Sequence, residues 1–130
     1  MCSRRLFLVL IAAVVTAQAN AATTWTSQSG HFRLSVQSEL NPVVINKIHR
    51  WSLQVVDADG APVTGAVMSV QGGMPAHDHG LPTAPRISGQ PEPGKYLLEG
   101  LRFHMRGQWQ LEFTIEVGET RDVVIVAIEL

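Results

Sequence analysis

The side chains of this chain best suited to chemistry are two thioethers and three imidazoles, gathered in two short clusters. Met74, His77 and His79 lie in the run Gly72-Gly73-Met74-Pro75-Ala76-His77-Asp78-His79-Gly80, and His104-Met105 follows about one hairpin later. Imidazole serves many transition metals, whereas thioether is soft and selects Cu(I). A mixed Met/His set therefore points to copper ahead of zinc. His77 and His79 are two residues apart, so in an extended segment both side chains face the same way and can share one ion. Gly72 and Gly73 let the backbone take conformations that residues with a Cβ avoid, and Pro75 fixes its own φ. The expected ligand set is Met74, His77, His79 and His104. Met105 is a fifth candidate, with core packing as its other reading.

The remaining candidates are weaker. His49 alternates in phase with Trp51, Leu53 and Val55, which suits a hydrogen-bonded core histidine as well as a ligand. Asp78 stands between the two loop histidines and would point away from them in an extended loop. It can orient a ligand or simply be solvated. His31 reads as exposed and Met68 as core. Catalysis finds little support. There is no Gly-x-Ser-x-Gly elbow, no glycine-rich phosphate loop and no His-Glu-x-x-His pair. Three histidines with an open position could be written as a hydrolytic zinc site, but no carboxylate is poised as its base. The chain is not expected to be an enzyme.

The elements that must position these residues read as strands. Phe32, Leu34 and Val36 alternate with polar residues, as do His49, Trp51, Leu53 and Val55; this is the period of a half-buried strand. Val63 to Val70, Arg86 to Ser88 and Tyr96 to Glu99 extend likewise. Leu101, Phe103 and Met105 share one face of a further segment, with Arg102, His104 and Arg106 on the other. On a regular strand that sends Met105 inward and His104 outward, unless the strand bends or ends near Gly107. Trp109, Leu111, Phe113, Ile115 and Val117 give the cleanest alternation, and Val123 to Ile128 is an apolar run suited to a strand covered on both faces. Asn41-Pro42, Asp57-Ala58-Asp59-Gly60, Gln90-Pro91-Glu92-Pro93-Gly94 and Gly118-Glu119 supply turns. About seven short strands without a helical period predict an all-β, immunoglobulin-like β-sandwich. The stretch from Gly72 to Pro85 is the one long loop, and loops of that length tend to be functional or disordered.

The N-terminus is a targeting segment. Arg4 and Arg5 precede the apolar run Leu6 to Val15, and Ala17-Gln18-Ala19 and Ala19-Asn20-Ala21 are small-x-small cleavage sites. Residues 1–21 read as a cleaved secretory signal peptide, since a bilayer span needs about 20 apolar residues. Residues 22–30 read as a flexible lead and 31–130 as one domain. No membrane span remains after cleavage, and the mature chain is expected in the periplasm or outside the cell. The single cysteine, Cys2, leaves with the peptide, so any metal site must be built without thiolate. The mature 109 residues carry 8 basic and 11 acidic side chains, a net charge of −3. With no basic patch, nucleic-acid binding has no support.

Several segments together resemble the YtkA-like domain family, which overlaps in description with FixH-type accessory proteins. They are Asn46-Lys47-Ile48-His49-Arg50-Trp51, Asp59-Gly60-Ala61-Pro62-Val63-Thr64-Gly65-Ala66, Gly73 to Pro85 with its Met-Pro-x-His-x-His-Gly core, Gly94-Lys95-Tyr96, and Gly100 to Trp109 with Phe-His-Met-x-Gly-x-Trp. The Met/His segments are the specific part, and the resemblance runs from about Asn41 to the end. It implies an exported immunoglobulin-like domain connected with metal handling, copper especially, or with respiratory oxidase assembly. It carries over Met74, His77, His79, His104 and Met105, together with His49. FixH-type proteins keep a membrane anchor, from which this chain departs. Two functions follow as expectations. One is a copper carrier, chaperone or store that works with a protein partner. The other is a non-metal interaction or assembly module in which the Met/His loop is structural.

Overall fold

Alternating side chains build the long strands of this protein, whose computed structural model describes residues 23–130. The expected signal peptide, Cys2 with it, lies outside the described residues. Among the described residues nine strands form: β1 (Thr24–Thr26), β2 (Phe32–Ser38), β3 (His49–Asp57), β4 (Val67–Met74), β5 (His79–Gly80), β6 (Arg86–Glu92), β7 (Lys95–Leu101), β8 (Gln108–Val117) and β9 (Thr120–Glu129). They pair antiparallel into a five-stranded sheet of order β1-β2-β3-β7-β6 and a four-stranded sheet of order β5-β4-β8-β9. This is the expected all-β sandwich. The count exceeds seven because β1 and β5 are too short for alternation to reveal. Among the described residues no helix is long and apolar enough to cross a membrane.

The core is the meeting of two inner faces. Phe32, Leu34, Trp51, Leu53, Val55, Tyr96 and Leu98 come from the first sheet, and Met68, Trp109, Leu111, Phe113, Ile115, Val124 and Val126 from the second. Tyr96 also pins the crossing segment that follows β3: its hydroxyl donates to the Val63 carbonyl at 2.7 Å and accepts from the Ala66 amide at 3.0 Å.

Four local expectations are corrected. The apolar run at the C-terminus is not covered on both faces; β9 is an edge strand, with Val124 and Val126 buried and Val123 and Ile125 only partly so. The lead contains β1, which pairs with β2. Strand β6 continues through Gln90 to Glu92 and turns at Pro93-Gly94. Residues 102–107 are not a strand but the crossing from the first sheet to the second.

That crossing is set up by a bulge. His49 pairs with Leu101 and Trp51 with Leu98, so β7 carries one residue more than β3 across this interval. Gly100, at φ 84°, takes the left-handed turn that absorbs it. Leu101 is thereby returned to the inner face, and Phe103 follows it into the core.

Candidate metal centre

Strand β4 ends at Met74, where the chain reverses through a single 3-10 turn, Pro75–His77. Asp78 completes the reversal in the left-handed conformation, φ 50° and ψ 44°. The chain then returns as β5, placing His79 opposite Met74 and Gly80 opposite Gly73. The expected long loop is therefore mostly a hairpin belonging to the sheet. His77 and His79 do come together, with ring centroids 5.7 Å apart and planes 17° from parallel. A tight turn brings them there, not an extended segment.

Gly72 and Gly73 act through their missing side chains. Neither has a positive φ. A Cβ on Gly72 would run into the Leu111 side chain and the Gln110 carbonyl, and one on Gly73 into the His79 carbonyl. Only glycines let β8 and β5 approach β4 this closely, so this pair fixes where His79 stands.

Cross-strand partners share a face, so His79 shares the inner face of the second sheet with Met74, which is fully buried. The 102–107 crossing closes over the same end of the sandwich. It brings His104 to within 4.9 Å of His79, centroid to centroid. Both rings rest on the indole of Trp109, at 5.5 Å for His104 and 6.2 Å for His79. The bend that lets His104 turn inward runs through Gly107, whose φ of 132° suits no L side chain. A Cβ there would lie 2.8 Å from the Met74 methyl, so the Met74 side chain reaches the crossing. Met74, His79, His104 and Trp109 thus form one cluster at one end of the sandwich core.

The nitrogens are informative. Nδ1 of His79 and Nδ1 of His104 are both buried without a hydrogen-bond partner. Trp109 is committed elsewhere, its Nε1 donating to the Met105 carbonyl at 3.1 Å. Met105 packs against the core while its carbonyl does this work. His77 and Asp78 are exposed on the turn.

His49 is not brought to this cluster by any ring contact. It is buried, with its ring 5.9 Å from Phe103 and 6.4 Å from Trp51. Its Nδ1 donates to the Lys47 carbonyl at 3.0 Å, which leaves Nε2 buried and unpartnered. Phe103 stands between, touching both His49 and Trp109. Among the described residues no group of three or more His, Cys, Asp or Glu side chains is set to hold a metal ion. What the cluster offers is two imidazoles with a thioether and an indole. An open groove of about 400 Å³ borders the hairpin, lined by Gln71, Pro75, Asp78, His79, Gln110 and Glu112 among others.

Asp122 is a functional residue of the fold that patterning did not single out. It is buried on β9 and accepts from the Ser27 hydroxyl at 2.6 Å and from the Ser29, His31 and Val123 amides. His31, expected to be simply exposed, is exposed but also places Nδ1 3.1 Å from this carboxylate. Burial alone would push the Asp122 carboxyl up. The Ser27 hydroxyl and the three amides outweigh it and hold the group well below the usual carboxylate range. An Asp set directly before an apolar run and in phase with Val124 and Val126 is the one signal that could have flagged it.

No curated protein matches the chain. Among solved structures it is similar to the ZirS C-terminal domain, at 15% identity and a TM-score of 0.45, over 100% of this chain and 88% of that one. The family model described as YtkA-like matches residues 24–114, which run from β1 through the Met/His hairpin and the His104 crossing into β8. The chain belongs to the YtkA-like family.

Proposed function

We propose that this protein is an exported copper-binding module, a carrier, chaperone or store in the periplasm or outside the cell. The ion is held and handed to a protein partner in copper handling or oxidase assembly, and no reaction is catalysed on it. The observation that carries this reading is the meeting of His79 and His104, ring centroids 4.9 Å apart, each with a buried, unpartnered Nδ1, with the buried Met74 as the cross-strand partner of His79. Two imidazoles on one ion at metal–nitrogen distances of about 2.0–2.1 Å keep their centroids roughly 4.5–5.5 Å apart at ordinary bond angles. The observed separation lies in that span. Thioether favours copper over zinc.

The test is copper and zinc stoichiometry of the mature domain by chelator competition, beside a His77→Ala/His79→Ala double variant. One-to-one copper binding that disappears in a folded double variant is the expected result. Binding no tighter than that of a surface histidine would end the metal reading.

A second reading is a non-metal interaction module in which the hairpin is structural. Two observations favour it: Met74 and His79 are paired strand residues, and no three classical ligand side chains stand ready for an ion. On this reading the double variant loses stability and has no metal phenotype.

A further inference from the structure

Resting on the copper reading, the geometry points to a more specific site: Cu(I), held between Nδ1 of His79 and Nδ1 of His104, with the Met74 thioether beside it and the indole of Trp109 as its wall. His77 covers this site from outside and is not a ligand.

The argument starts from the two nitrogens. A neutral imidazole offers one N–H and one lone pair, and at both rings the buried, unpartnered edge is Nδ1. The two rings lie 4.9 Å apart, centroid to centroid, close enough for these two nitrogens to share one partner. A water would need two to four polar contacts. The two Nδ1 atoms supply only the minimum of two; beside them stand a buried thioether, at best a weak acceptor, and an indole whose only N–H already serves the Met105 carbonyl. Such surroundings are soft and largely apolar.

Charge selects the oxidation state. The cluster holds no carboxylate, and Asp78, on the adjoining turn, is exposed. Neutral ligands leave the full charge of a bound ion uncompensated in a desolvated place, a cost that rises steeply from one charge to two. A soft monovalent cation fits, and a divalent one does not. Both imidazoles lie against Trp109, so an ion shared by them lies near its ring. Cations within about 6 Å of an indole centroid are attracted by its π face.

His77 fails as a ligand on its own geometry. Ring lone pairs lie in the ring plane, and His77 is stacked on His79 at 17°, so the two rings offer their edges side by side instead of converging. His77 is also exposed. Stacked in this way, it covers a face of the His79 ring.

The experiment supplies Cu(I) anaerobically against a chromophoric Cu(I) chelator. In parallel it supplies Cu(II) and Zn(II), with tryptophan emission recorded throughout. A Trp25→Phe/Trp51→Phe protein leaves Trp109 as the reporter. The expected result is one-to-one Cu(I) binding that quenches Trp109 and is weakened by more than a hundredfold in His79→Ala and His104→Ala. His77→Ala should change it by less than about threefold, and Trp109→Phe should weaken Cu(I) by about tenfold. Because Trp109 is buried, the quench in the single-tryptophan protein gives an answer even if Trp109→Phe does not fold. One-to-one copper binding that depends on His79 but neither quenches Trp109 nor tolerates His77→Ala would overturn this site and leave the copper reading standing. Tighter binding of Cu(II) or Zn(II) would overturn the assignment of Cu(I). Binding of no metal would overturn both.

Discussion

His104 shows what a single side chain contributes here. Its Nδ1 is buried and unpartnered while its ring makes contacts with His79 and Trp109. An unsatisfied buried polar atom costs about 1–3 kcal/mol, so the apo protein does not benefit from this nitrogen. His104→Phe keeps an aromatic ring at the position and removes the orphan atom. Urea denaturation should find the apo variant as stable as the parent, or more stable by about 1 kcal/mol. Copper should stabilise the parent by about 2.7 kcal/mol at a hundred times its Kd and leave the variant unmoved. A variant that loses apo stability by several kcal/mol would mean that the ring edge is structural. The residue types at this site were legible in the sequence; which edge of each ring is buried was not.

At the scale of elements, the hairpin of β4 and β5 does the positioning. Its sequence reads as a loop because Gly72, Gly73, Pro75 and Gly80 are poor strand formers. It pairs nevertheless, because the glycines let three strands approach more closely than any side chain allows. Gly73→Ala should displace β5 from β4, at a cost of about 1–3 kcal/mol, and should weaken copper binding by moving His79. Gly89→Ala is the control: a Cβ there meets nothing within 4 Å, so denaturation should shift by less than about 0.5 kcal/mol. Equal behaviour of the two variants would show that the hairpin is not tightly specified. The bulge at Gly100 acts in the same way on the other side of the site, because without the extra residue Leu101, Phe103 and His104 would each turn to the opposite face.

At the scale of the whole molecule, Asp122 ties the two sheets together. It lies on β9 of the second sheet and accepts from Ser27, Ser29 and His31, which follow β1 of the first. Its carboxyl is held below the ordinary range, so the folded state binds its proton less readily than the unfolded chain. The resulting stability is fully present above the unfolded value of about 3.9 and is lost as pH falls from there through the lowered folded value. Asp122→Asn should lose about 2–3 kcal/mol at pH 7. The gap between parent and variant should narrow as the pH is taken below about 4. Denaturant midpoints measured from pH 7 to pH 2.5 check this, and a gap independent of pH would rule out the charged latch.

The sequence alone determined that this protein is a β-sandwich and where along the chain its Met and His side chains cluster. Alternation is a property of neighbours along the chain, so β2, β3 and β8 were readable from Phe32 to Val36, His49 to Val55 and Trp109 to Val117. Only the tertiary structure decided the rest. His79 meets His104 because β5 folds back on β4 and the 102–107 crossing bends at Gly107, two events about 25 residues apart in the chain. His49 shares the residue type but lies behind Phe103, a matter of the packing between sheets. Asp122 gains its role from donors 91 to 95 residues away. Local pattern specifies which way a side chain points along its strand; which distant side chain it meets is fixed only when the sheets close on one another.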